Sequence, residues 1–145
     1  MKVSEWIRNH RRSVIIALPD LSMEEVLDRF LAEPCLRDLY VVDDDHRLIG
    51  HISHKRIAEL VLAQHRPVHT RRQIMERVAC GSARELMQTD FPSAHPDEDL
   101  DDVLHRQLEQ YVEDMPVIAA DGSLLGAVNL SAVLRASRLG ELNNH

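Results

Sequence analysis

Aromatic residues are scarce in this chain: two Phe, two Tyr and one Trp among 145 residues. Leu, Val, Ile and Ala must therefore fill whatever core it has, and a hydrophobic share of 44% is ample for one compact domain or two paired halves. Cysteine is scarce too. Cys35 and Cys80 are too few for a disulfide scaffold, and without a mark of secretion both read as reduced thiols of a cytoplasmic protein. Positive charge is in deficit, 17 Lys and Arg against 24 Asp and Glu for a net charge of −7, which argues against non-specific binding to nucleic acid or to an anionic membrane. Long apolar runs are missing. Val14–Leu18 after Arg11-Arg12 is only five residues and stops at Pro19-Asp20, too short for a signal-peptide core and far below the roughly 18 residues needed to span a bilayer. No direct membrane insertion is expected. Five glycines leave little room for phosphate-cradling loops. There is no Gly-x-Ser-x-Gly, no glycine-rich phosphate loop and no activating context around either cysteine, so no enzyme is expected.

What the chain does contain is itself, twice. Pro19-Asp20 reappears as Pro96-Asp97 and Val26-Leu27 as Val103-Leu104, 77 residues on; Val41, Asp45, Leu48 and Gly50 reappear as Val117, Asp121, Leu124 and Gly126, 76 residues on. The register slips by one residue between the two blocks, so two copies of one small unit fill most of the chain.

Each copy opens with a short helical stretch, Val3 to Ile7 and Ala83 to Met87. Val14–Leu18 reads as a short buried strand. Ser22-Met23-Glu24-Glu25 is a capping box, with Asp99 and Asp102 in the same places of the second copy. Apolar residues then recur at helical spacing: Val26, Leu27, Phe30 and Leu31, and Val103, Leu104, Leu108 and Tyr111. Strands at Leu39–Val42 and Leu48–Ile52 flank Asp43-Asp44-Asp45-His46; strands at Met115–Ala119 and Leu124–Val128 flank Ala120-Asp121-Gly122-Ser123, where Asp-Gly is a strong hairpin signal. Closing helices are expected over His54–Gln64 and Ser131–Arg138. Each unit is β-α-β-β-α. Along the chain this places a first repeat with its N-terminal helix at 1–64, a linker at 65–81, a second repeat at 82–138 and a frayed tail at 139–145. Pro67 and the basic residues His65–Arg72 break the repeat, and Ile74, Met75 and Val78 before Gly81 read as a linker helix.

The segments ALPDLSMEEVLDRFL…LYVVDDDHRLIGHISHKRIAELV and SAHPDEDLDDVLHRQL…MPVIAADGSLLGAVNLSAVL resemble the cystathionine-β-synthase (CBS) domain in tandem, a Bateman module, over residues 2–137. The resemblance implies an α+β fold in which two units are related by pseudo-two-fold symmetry, their small sheets packed together with helices outside. One unit of some 50 residues has a sheet face it cannot bury alone, and a second copy solves that problem. In this family the clefts so formed bind AMP, ADP, ATP or other adenosyl ligands, and the module regulates an enzyme, channel or transporter. Carried over residue by residue, the resemblance puts the ligand-binding positions at Ile16, Tyr40, Ile52, Ser53 and Arg56, and at Ser93, Met115, Pro116, Val128 and Asn129.

The family's ligand motif is Gly, two apolar residues, Thr or Ser, two variable residues, then Asp. The first copy has Gly50-His51-Ile52-Ser53-His54-Lys55-Arg56, with Arg in place of Asp; the second has Gly126-Ala127-Val128-Asn129-Leu130-Ser131-Ala132, with Asn for the hydroxyl and Ala for the Asp. A guanidinium has donors and no acceptor, so Arg56 suits phosphate or carboxylate rather than ribose hydroxyls. Each lost charge-assisted hydrogen bond removes about 1.5–3 kcal/mol. The expectation is two unequal clefts: the first suited to an anion, the second weak or silent toward adenosine. Ser53 also serves as an ordinary helix cap.

Other constellations carry less. His51 and His54 are three apart, but zinc needs three or four ligands, and no metal site is expected. Six acids without a Lys or Arg between Gln88 and Asp102 suit a helix N-terminus and, less directly, a hard divalent cation. The basic stretch His65–Arg72 reads as a solvated connector, and Trp6 as a packing anchor against the core or a dimer mate. The reading that follows is a non-catalytic regulatory module. It senses an adenine nucleotide or other anionic metabolite, forms a homodimer and acts on an unidentified regulated protein. Its alternatives are a ligand-free dimerisation or interaction module, and a cation-responsive domain of a transporter or channel.

Overall fold

In the computed structural model, residues 1–10, 14–63, 81–140 and 142 are described, the side chains of 61–63 excepted; the expected linker helix, Pro67 and the basic stretch lie outside them. The elements run α1 (Val3–Asn9), β1 (Ile15–Ala17), α2 (Met23–Ala32), β2 (Asp38–Val42), β3 (Leu48–Ser53), α3 (His54–Ala63), α4 (Ala83–Leu86), α5 (Leu100–Gln110), β4 (Asp114–Ile118), β5 (Leu124–Asn129) and α6 (Leu130–Arg138). Helices and small sheets mix in the α+β manner expected. The described chain divides into two compact units. Unit I holds Met1–Val14, Asp45–Leu48 and the chain from Pro92 onward; unit II holds Ile15–Asp44 and Ile49–Phe91.

The division does not follow chain order. Helix α1, which precedes the first repeat in sequence, packs with the second repeat in unit I. There Val3 N donates to Glu98 O (3.0 Å), Ser4 N to Pro96 O (3.0 Å) and Leu100 N to Met1 O (2.9 Å). Helix α4 and the residues just before it make the matching bonds in unit II: Ala83 N to Leu21 O (2.8 Å), Arg84 N to Pro19 O (3.0 Å) and Met23 N to Gly81 O (3.3 Å). Burial explains the preference. Val3 and Trp6 are buried in the unit I core beside Leu100 and Val103, and Ala83 and Leu86 in the unit II core beside Val26 and Phe30. Trp6 is thus a core anchor, 1% exposed and stacked on His10 at 3.6 Å. Each short helix also needs a glycine opposite it. A Cβ on Gly50 would stand 2.7 Å from Met87 Cγ, and one on Gly126 2.9 Å from Ile7 Cγ2.

Unit II carries a three-stranded sheet in the order β1-β2-β3, with β1 parallel to β2 and Ile16 opposite Tyr40. Unit I carries an antiparallel pair, β4-β5, in which Asp114 faces Asn129 and Met115 faces Val128. A first strand expected in the second copy is reduced to one residue. Ala94 bridges Val117, its N–H donating to Pro116 O (2.9 Å) while its carbonyl accepts from Ile118 N (2.9 Å). Pro92 and Pro96 flank it, and proline cannot donate to a ladder. The hairpin turns use the left-handed region at equivalent places, His46 at φ 63° and Gly122 at φ 90°. Exposed Asp121 accepts from Ser123 N at 3.0 Å, and that bond, helped by the Ser123 hydroxyl and Arg47, holds its carboxyl below the ordinary aspartate value.

Helices α2 and α5 bury a narrower stripe than the periodicity predicts. Met23, Val26 and Phe30 face the core of unit II, and Leu100, Val103 and Gln107 that of unit I. Leu31, Leu108 and Tyr111, expected to face inward, are 70%, 64% and 94% exposed. Leu31 and Leu108 each stand one residue past the buried position, about 100° further round the helix. Tyr111 adopts φ 56° as the C-cap, where the chain has already left the helix. Fully buried Gln107 takes the inward position, donating from Nε2 to Val128 O (3.0 Å) and Glu113 O (3.2 Å).

Candidate functional site

The ten residues singled out by sequence fall five to each unit: Ile16, Tyr40, Ile52, Ser53 and Arg56 in unit II, and Ser93, Met115, Pro116, Val128 and Asn129 in unit I. Both sets centre on a strand-to-helix turn.

In unit II, β3 ends at Ser53 and α3 starts at His54. The Ser53 hydroxyl oxygen accepts from Arg56 N at 3.0 Å, and His54 N donates to Arg37 O at 2.7 Å, fixing the turn against the start of β2. Capping uses one lone pair of the hydroxyl and leaves its proton available to donate. Arg56 is half-buried, and its Nε is buried without a hydrogen-bond partner among the described residues. A buried N–H left unmatched costs more than it gains until an acceptor arrives. The turn therefore offers a hydroxyl donor and a guanidinium donor three residues apart, a pairing that suits phosphate or carboxylate.

In unit I, β5 ends at Asn129 and α6 starts at Leu130. The anchor is the same: Leu130 N donates to Glu113 O at 3.0 Å. So is the cap, with Asn129 Oδ1 accepting from Ala132 N at 2.9 Å. The chemistry differs. Asn129 Nδ2 donates to Asp114 Oδ1 in a short bond, and the two residues are 4% and 3% exposed. Ala132 adds only a methyl.

Ile16 and Tyr40 sit side by side across β1 and β2. Ile52, Met115 and Val128 are fully buried in the cores of their own units, and Pro116 is buried in β4 between Met115 and Val117. The main-chain carbonyls of Ile16 and Ser93 are each engaged by an arginine thirteen residues on. Arg29 Nη1 donates to Ile16 O at 2.6 Å, and Arg106 Nη2 to Ser93 O at 2.9 Å. Arg106 also pairs with Glu98 at 3.0 Å.

Sequence reasoning missed these arginines, and it missed Asp38 and Asp114. Both pairs recur at the repeat's own offsets, 77 for Arg29 and Arg106 and 76 for Asp38 and Asp114, which is the signal that could have found them. Asp38 accepts from His51 Nδ1 at 3.2 Å. The His51 ring meets Phe91 edge-on at 5.5 Å, and its backbone exchanges hydrogen bonds with Gln88 (2.9 and 2.8 Å). His54 instead sets its edge against Phe30, so the two histidines three apart serve different contacts. Among the described residues no group of three His, Cys, Asp or Glu is placed to hold a metal ion, and no helix is long and apolar enough to cross a membrane. Cys35 is a free, exposed thiol.

The chain matches the CBS domain family over residues 3–63 and again over 83–139. The chain belongs to that family and carries two CBS domains in tandem. No curated protein matches its sequence. Among solved structures, CBSX2 in complex with AMP is 21% identical with a TM-score of 0.73, covering 90% of this chain and 92% of its own; CBSX2 is a CBS-pair protein of Arabidopsis thaliana. The CBS domain pair of protein MJ0100, in complex with 5′-methylthioadenosine and S-adenosyl-L-methionine, is 19% identical with a TM-score of 0.70, covering 93% and 94%. A CBS domain-containing protein of Thermotoga maritima is 22% identical with a TM-score of 0.68, covering 94% and 93%. At these identities the likeness is one of fold.

Proposed function

We propose that this chain is a non-catalytic regulatory module of the cytoplasm that senses an anionic metabolite, an adenine nucleotide first, and passes the bound state to a partner protein. The observation that carries the reading is the Ser53–Arg56 turn, where the hydroxyl accepts from Arg56 N and, among the described residues, the guanidinium Nε has no hydrogen-bond partner. The fold neighbours solved with AMP and with S-adenosyl-L-methionine support an adenosyl group on the ligand. Arg56 in the family's Asp position favours the phosphate end of such a ligand over its ribose. A ligand regulates only through differential affinity for two arrangements of the protein, and a homodimer supplies arrangements to choose between.

A thermal-shift panel with AMP, ADP, ATP, S-adenosylmethionine and NAD tests this. Ligand at a hundred times Kd adds about 2.7 kcal/mol, a rise of several degrees in Tm. The anionic nucleotides should stabilise most, and Arg56→Ala should remove the effect. A Tm that stays flat at millimolar concentrations of every compound rejects the sensor.

One observation favours a second reading, a ligand-free interaction module. Leu31 on α2 and Leu108 on α5, 77 residues apart, are both largely exposed. Self-association without any response in the ligand panel selects it.

A further inference from the structure

We infer that the aspartate opening each hairpin, Asp38 or Asp114, is a latch that decides whether the strand-to-helix turn of its unit can read an anion: open in unit II, shut in unit I. This deepens the sensor reading and rests on it.

The two turns share a frame and differ in where the aspartate is held. In unit II the His51 ring nitrogen holds Asp38 at 3.2 Å, and the Phe91 ring borders that imidazole. Asp38 is thereby engaged by His51, and the Ser53 hydroxyl, which accepts from Arg56 N, keeps a proton to donate. In unit I the residue equivalent to His51 is Ala127, which offers no hydrogen bond. Asp114 is held by Asn129 Nδ2 instead. One of the amide's two hydrogens is spent there, its oxygen caps α6, and 4% exposure leaves the other hydrogen little access. A phosphate brought to this turn would meet the Ala132 methyl and an amide already bound to a carboxyl. His51 is thus a positioning residue: it acts on the ligand through Asp38.

The experiment is a titration of the full chain with inorganic pyrophosphate and, separately, AMP, followed by ³¹P NMR and calorimetry. One pyrophosphate should bind per chain, and Ser53→Ala/Arg56→Ala should bind none. Ala127→His/Asn129→Ser/Ala132→Arg transplants the open turn together with the side chain that holds its aspartate into unit I and should bind two. Against a misfolded transplant, His51→Ala leaves both turn sequences untouched. It should weaken pyrophosphate at least tenfold by freeing Asp38 to take the Ser53 proton, and His51→Asn, which can still donate to Asp38, should restore it. Two sites in the wild type, a folded transplant that keeps one site, or His51→Ala binding as tightly as wild type overturns the latch while the sensor stands. No binding in the wild type overturns both.

Discussion

Single residues set the difference between the two halves of this protein. Ser53 and Asn129 cap equivalent helices through bonds of 3.0 and 2.9 Å; one keeps a donor for solvent or ligand and the other turns its donor inward. That contrast was legible in part, because Arg56 and Ala132 stand in the family's Asp position. The latch was not, because nothing local marks an aspartate at the start of a strand as buried. Gly50 and Gly126 are residues of another kind, required by close approach. Adding a methyl at either forces a packed helix to move, which costs about 1–3 kcal/mol. Gly50→Ala should be the more damaging, since Met87 Cβ, one bond from the backbone, lies 2.9 Å from the added carbon, whereas at Gly126 only Ile7 Cγ2 is that near. Urea denaturation of both variants measures this; equal stability to wild type would show that the short helices are not held at these glycines.

At the scale of elements, the hydrophobic period located α2 and α5 but overstated their buried faces. Leu31 and Leu108 satisfied an apolar pattern and ended in solvent, while Gln107 entered the core because its amide reaches two carbonyls, those of Val128 and Glu113. Periodicity counts apolar residues and cannot see such a bond. The caps divide in the same way. Ser22 makes both bonds of its capping box, accepting from Glu25 N while Glu25 Oε2 accepts from Ser22 N. Asp99 is the N-cap of α5 with no side-chain cap bond, and its backbone pairs with Lys2 instead. Ser22→Ala should therefore cost about 1 kcal/mol and Asp99→Ala appreciably less, read as the difference in urea midpoint at unchanged slope. Equal losses would mean that both caps act through their side chains.

For the molecule as a whole, the repeat announced two units, and the structure has two, each with its own core. Their membership could not be read along the chain, because α1 and α4 each leave the repeat they precede. The proposed homodimer belongs to this scale. Wild type should run as a dimer in light scattering, and Leu31→Glu/Leu108→Glu should return it to a monomer without lowering Tm, since both side chains are solvent-facing in the single chain. A monomeric wild type at micromolar concentration would remove the dimer from the regulatory scheme.

The amino-acid sequence by itself determined the duplication, the α+β class, the hairpins with their turn segments, and the inequality of the two ligand motifs. These are local or periodic properties, written in residue types a fixed distance apart. Tertiary structure decided which short helix serves which core, which leucines stay in water, and which side chain holds each aspartate. Those outcomes depend on burial and on hydrogen bonds between residues far apart in the chain, where a donor such as His51 or Asn129 succeeds only because folding brings it within about 3 Å of its acceptor.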